Sequence, residues 1–148
     1  MPAIALVTWV IAALGGLYLL AVWLIEYDPE FHSAAATKLP VPVVVTHALL
    51  AVAGLFIWAV YLFSDSDRIA KIAAAILLVV VGLGATLAGR WIAVYRTVPA
   101  EAGSDIGATR VSIPPERNFP LPVVIGHGVF ALTTLILVLL TVLGVGGS

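Results

Sequence analysis

Residues 72–89 read IAAAILLVVVGLGATLAG, a stretch without a single charge, bounded by Lys71 and Arg90. Its apolar residues come in runs, such as Ala73 to Val81, rather than in alternation. A membrane-spanning β-strand alternates apolar and polar residues over about 10 positions, so that reading fails here. A helix of about 20 apolar residues crosses the hydrocarbon core of a bilayer, and this stretch has that length and character.

The same pattern recurs on both sides. No Asp, Glu, Lys or Arg occurs in residues 1–25, 39–64 or 118–148 either. The seven Lys/Arg and eight Asp/Glu all lie between these windows. The chain of 148 residues is 62% hydrophobic and 10% charged, against about 45–50% and about 25% in soluble domains. The expected fold is therefore all-α: an integral membrane four-helix bundle, with helices at roughly 3–26, 42–63, 69–95 and 121–144. The first helix is expected to stay in the mature protein. Its apolar run is too long for a signal peptide and no basic residue precedes it.

Composition also narrows the chemistry. There is no cysteine, which excludes disulfides, thiolate-bound iron–sulfur clusters and Cys-ligated zinc. The one methionine is Met1. A net charge of −1 carries no basic footprint for nucleic acid, and no nucleic-acid partner is expected. No nucleophile–base set, phosphate loop or His/Glu zinc spacing is present, so an enzyme acting by itself is not the leading expectation.

The second and fourth helices begin alike. Residues 39–47 read LPVPVVVTH and residues 119–127 read FPLPVVIGH, matching at a step of 80. Gly16, Leu19, Trp23 and Tyr27 match Gly84, Leu87, Trp91 and Tyr95 at a step of 68. This predicts a single membrane domain, 1–148, built as a tandem, parallel repeat of a two-helix unit, 1–64 and 65–148. The halves would then be related by a two-fold axis along the membrane normal. Pro42 and Pro122 suit first helical turns, where the missing N–H has no partner to lose.

Trp23, Tyr27, Phe31, Trp91, Tyr95 and Phe119 are expected at the membrane interface nearer the histidines. Trp9, Trp58, Tyr61 and Phe63 are expected at the other, as anchoring belts. A less favoured role for Trp23/Trp91 or Tyr27/Tyr95 is to line a cofactor or quinone site. More Lys/Arg lies on the histidine side, which predicts cytoplasmic histidine-side loops.

His47 and His127 are the residues that lipid should exclude, and an ionisable residue inside a membrane helix is a functional candidate. Repeat symmetry would place them at one depth, facing each other. Two imidazoles on separate helices are what a bis-histidine b-type haem needs. Thr46 is a candidate for orienting an imidazole. Gly126 and Gly128 would leave room for a flat macrocycle. Arg90, expected near the depth of the histidines, and Arg96 are candidate propionate partners. The plan is similar to small four-helix membrane b-type cytochromes in helix number and paired histidines only. That similarity implies a redox carrier, or a membrane subunit of a redox complex, embedded in lipid and associated with other membrane subunits. The competing expectation is a non-catalytic membrane accessory or assembly protein in which His47 and His127 are interhelical contacts. A lone metal ion or a quinone head group are other occupants of the same place. His32, in the first polar loop, is expected to have no such role.

Overall fold

The computed structural model describes residues 1–26, 37–97 and 114–145. Four helices order the chain: α1 (Pro2–Glu26), α2 (Val41–Ser64), α3 (Asp67–Thr97) and α4 (Leu121–Val142), with a short 3-10 turn at Pro115–Asn118 before α4. No strand occurs among the described residues. The described residues form an all-α bundle in which each of the four helices is long and apolar enough to cross a membrane, as fits an integral membrane protein. The boundaries differ from the expected ones by one or two residues, and α3 runs two residues further, to Thr97.

Helix ends follow from local chemistry. Pro40 and Pro120 cap α2 and α4, and their carbonyls accept the N–H of Val43 and Val44, and of Val123 and Val124. Pro42 and Pro122 thus stand in the first turn, where no intrahelical donor is lost. Between α2 and α3 only Asp65 and Ser66 intervene. Asp65 adopts φ 49°, a left-handed conformation that Asp tolerates better than most residues, and its N–H closes α2 on the Tyr61 carbonyl. The Ser66 carbonyl accepts Ile69 and Ala70 N–H and starts α3. At the far end Gly144, at φ 70°, lets Val145 N–H turn back to the Leu140 carbonyl, the usual glycine-dependent end of a helix.

α1 packs chiefly on α4, and α2 on α3; α1 and α3 stand diagonally opposite, as do α2 and α4. Two hydrophobic clusters hold the bundle. One joins Ala5, Trp9, Trp58, Ala70, Ala73, Ala74, Leu77 and Val138 near the α2–α3 connection. The other joins Trp23, Leu39 and Val44, with Leu20, Leu87 and Phe119 against them, near the opposite end. All four tryptophans are buried inside the bundle, so the expected lipid-facing belts do not include them. The reason is packing. Trp9 lies 6.5 Å from Trp58, ring centre to ring centre, and the Trp58 N–H bonds to the Pro2 carbonyl. Thr134 and Thr8 add a hydroxyl–hydroxyl bond of 2.9 Å between α4 and α1.

Gly54 marks the tightest helix contact in the first cluster. A Cβ there would lie 2.9 Å from Trp9 Cζ2 and 3.0 Å from Ile76 Cγ2. Trp9 is buried and cannot retreat. The substitution Gly54→Ala is expected to destabilise the bundle by about 1–3 kcal/mol, the usual cost of overpacking. Reversible unfolding in mixed micelles measures it.

Candidate functional site

Between the two clusters lies the histidine pair. Along α1 the first cluster uses Ala5 and Trp9, and the second uses Leu20 and Trp23. Ala12 and Gly16 fall between them, and both meet His127. On α3 the corresponding positions are Val80 and Gly84, and both meet His47. Ala12 to Val80 and Gly16 to Gly84 are each a step of 68, the step that aligns α1 with α3 in sequence.

The two contacts have one chemistry. His127 Nδ1 lies 2.8 Å from the Ala12 carbonyl oxygen and His47 Nδ1 lies 3.0 Å from that of Val80. A carbonyl only accepts, so each Nδ1 carries the proton and donates. Helical carbonyls already hold one hydrogen bond but have a second lone pair for this use. In a neutral imidazole the other nitrogen, Nε2, is then the one with a free lone pair.

Glycine makes the contacts possible. A Cβ at Gly16 would stand 2.9 Å from His127 Cε1, and one at Gly84 would stand 3.1 Å from His47 Cε1. Both rings lie against bare helix backbone. They reach in from diagonally opposite helices, with ring centres 6.3 Å apart and planes at 76°. Two imidazoles bound to one metal have metal–nitrogen bonds of about 2 Å, and each ring centre sits about 1 Å behind its nitrogen, so the centres fall about 6 Å apart. The observed spacing suits that arrangement. Nδ1 bonded to a carbonyl with Nε2 left for the metal is also the usual second-shell pattern of ligating histidines. Among the described residues no group of three or more His, Cys, Asp or Glu gathers at one point, so these residues offer a metal two protein ligands.

The remaining sequence-predicted residues are less central. Thr46 is exposed on the outer surface of α2, and backbone carbonyls bind the imidazoles at Nδ1. Gly126 and Gly128 are half-buried, and a Cβ at either would meet nothing within 4 Å. Arg90 is exposed and its Nη1 donates to the Lys38 carbonyl at 3.4 Å. It lies six residues beyond Gly84, about 9 Å nearer the loops than the histidine layer. Depth counted back from Tyr95 put it level with the histidines, whereas the α3 residues that meet His47 are Val80 and Gly84, further from that helix end. Arg96 is exposed on the last turn of α3. Tyr27, Phe31 and His32 lie outside the described residues.

Glu116 was not singled out by the sequence. It sits fully buried in the 3-10 turn. One carboxylate oxygen accepts the Lys38 N–H, and the other accepts the Thr37 hydroxyl at 2.9 Å. Thr37 Oγ1 in turn accepts the Trp23 indole N–H and the Leu39 N–H. The chain before α4 is thereby tied to the end of α1 and the start of α2. A lone Glu between Pro115 and Arg117 carries no pattern that would announce this.

No protein-family model, curated protein or solved structure matches this chain.

Two outcomes follow from this geometry. Gly16→Ala and Gly84→Ala are expected to cost about 1–3 kcal/mol of stability. Gly82→Ala and Gly89→Ala, where a Cβ meets nothing within 4 Å, are expected to be neutral or slightly stabilising. Glu116→Ala removes the acceptor shared by the part-buried Thr37 hydroxyl and Lys38 N–H and is expected to cost about 1 kcal/mol. Thermal unfolding in detergent, followed by far-UV circular dichroism, measures all five variants.

Proposed function

We propose that this protein is a small membrane electron carrier, or the membrane subunit of a redox complex, with one b-type haem held between His47 and His127. The observation that carries the reading is the matched pair of imidazoles. Each is oriented through Nδ1 by a helix carbonyl, and their ring centres stand 6.3 Å apart, close enough that both could bind one metal. A bound haem would supply one-electron chemistry, with its reduction potential set by axial ligation and burial. The protein's own part is to hold two neutral imidazoles in fixed orientation and to keep water away. The hydrophobic clusters above and below the pair serve that second task. Gly126 and Gly128 leave open space beside His127. Arg90 and Arg96, on the loop side of the pair, are the cations proposed to face the acidic edge of the macrocycle.

The tandem repeat belongs to the same proposal. A two-helix unit with one histidine, duplicated, makes a two-ligand site on its own axis. The equal steps from Ala12 to Val80 and from Gly16 to Gly84 support it. By the charge bias, the histidine-side loops are proposed to be cytoplasmic.

Protein produced with ample haem supply is expected to show a b-type Soret band and α/β bands that sharpen on dithionite reduction. One haem per chain is expected. His47→Ala and His127→Ala are each expected to lose at least nine-tenths of it while keeping full helicity. Pyridine haemochrome analysis beside circular dichroism measures both. A colourless, fully helical wild type, or full haem in either variant, contradicts the proposal.

A further inference from the structure

The two halves treat their loop-side tryptophans differently. Trp23, at the end of α1, donates its indole N–H to Thr37 at 3.0 Å. Trp91, on α3, is the residue that aligns with it in sequence, and it is buried to 7% exposure. Among the described residues its Nε1 is a buried side-chain donor with no hydrogen-bond partner. Buried polar groups are almost always satisfied, and an exception in a folded protein calls for an acceptor.

The surroundings say what kind of acceptor. The Tyr95 ring lies 5.2 Å from that of Trp91, tilted by 38°. The Arg117 guanidinium stands 4.5 Å above the Tyr95 ring centre. Val94 is buried beside them, while Tyr95 reaches the outer surface of the bundle. One neutral N–H in an aromatic wall suits one neutral oxygen on a flat, apolar ring. An anionic phosphate would lose far more hydration on burial there than a single N–H returns. Trp91 is also seven residues from Gly84, which packs on His47, or about 10 Å along the helix axis.

We infer that Trp91 Nε1–H binds a carbonyl oxygen of a quinone head group, seated against Tyr95 and below Arg117. This rests on the electron-carrier reading only in the choice of ligand, since quinones are the membrane-soluble carriers of electrons. The indole donor, the aromatic wall and the neutral oxygen they call for stand without it.

The test is a titration of the full chain in detergent micelles with a short-tailed ubiquinone, read by 15N NMR of the indole N–H groups. The Trp91 signal is expected to move downfield and saturate, while that of Trp23 stays in place. Trp91→Phe keeps the ring and removes the donor. With binding of this variant and of the wild type followed on the quinone's own methoxy proton signals, it is expected to be weakened roughly tenfold, the weight of one hydrogen bond. The same titration on His47→Ala separates the two proposals: a saturating Trp91 shift there supports the quinone site even if no haem binds. Haem in the wild type without a Trp91 shift overturns the quinone site alone. So does unchanged affinity in Trp91→Phe, or a shift produced by anionic phospholipid and not by quinone.

Discussion

An imidazole inside a lipid-embedded bundle has no water to bond, and here each of the two finds its partner in a helix carbonyl on a neighbouring α-helix. That bond can form only where the ring approaches the backbone closely. Gly16 and Gly84 provide that approach: a Cβ at Gly16 would collide with the His127 ring at 2.9 Å, and one at Gly84 would press on the His47 ring at 3.1 Å. Histidine and glycine are therefore mutually dependent at both places. In a neutral ring the carbonyl also fixes the tautomer, leaving Nε2 as the nitrogen with a lone pair to offer. The rest of the bundle can be read as support for this layer. The cluster around Trp9 and Trp58 closes it on one side, and the cluster around Trp23, Leu39 and Val44 closes it on the other.

Where the halves diverge, the divergence is concentrated at the loop side. Thr37 satisfies Trp23 and is itself held by Glu116, so the start of α2 is fixed from three directions. Nothing comparable reaches Trp91, although it is nearly as buried. With one loop-side tryptophan pinned and the other left without a hydrogen-bond partner among the described residues, the two proposed roles divide naturally. The shared middle layer suits a cofactor on the axis. The unshared edge suits a ligand that comes and goes. Both roles are proposals, and they stand on different residues.

Much of the fold was legible because lipid is a strict solvent. Charge-free windows of spanning length without apolar–polar alternation leave helices, rather than barrel strands, to satisfy every backbone group. The proline pairs then marked the starts of α2 and α4. The histidines were legible for the same reason, being costly where they stand. Their partners were half legible. Gly16 and Gly84 aligned in sequence, but nothing in one dimension tells that a glycine faces a ring on another helix. Thr46 looked like the orienting group because it adjoins His47, yet neighbours along a helix point about 100° apart, and Thr46 faces outward. The tryptophans were assigned to the membrane interface by type, whereas their bulk fills the bundle interior. Glu116 was illegible because its role depends on contacts some 80 residues away in sequence.

The most direct measurement of the histidine pair is the electron paramagnetic resonance spectrum of the oxidised, haem-loaded protein. If His47 and His127 both held the haem, two imidazole nitrogens would make its ferric iron low-spin, and a low-spin ferric signal is the expected result. A high-spin ferric signal, or a protein that takes up no haem at all, would contradict a bis-histidine site between His47 and His127.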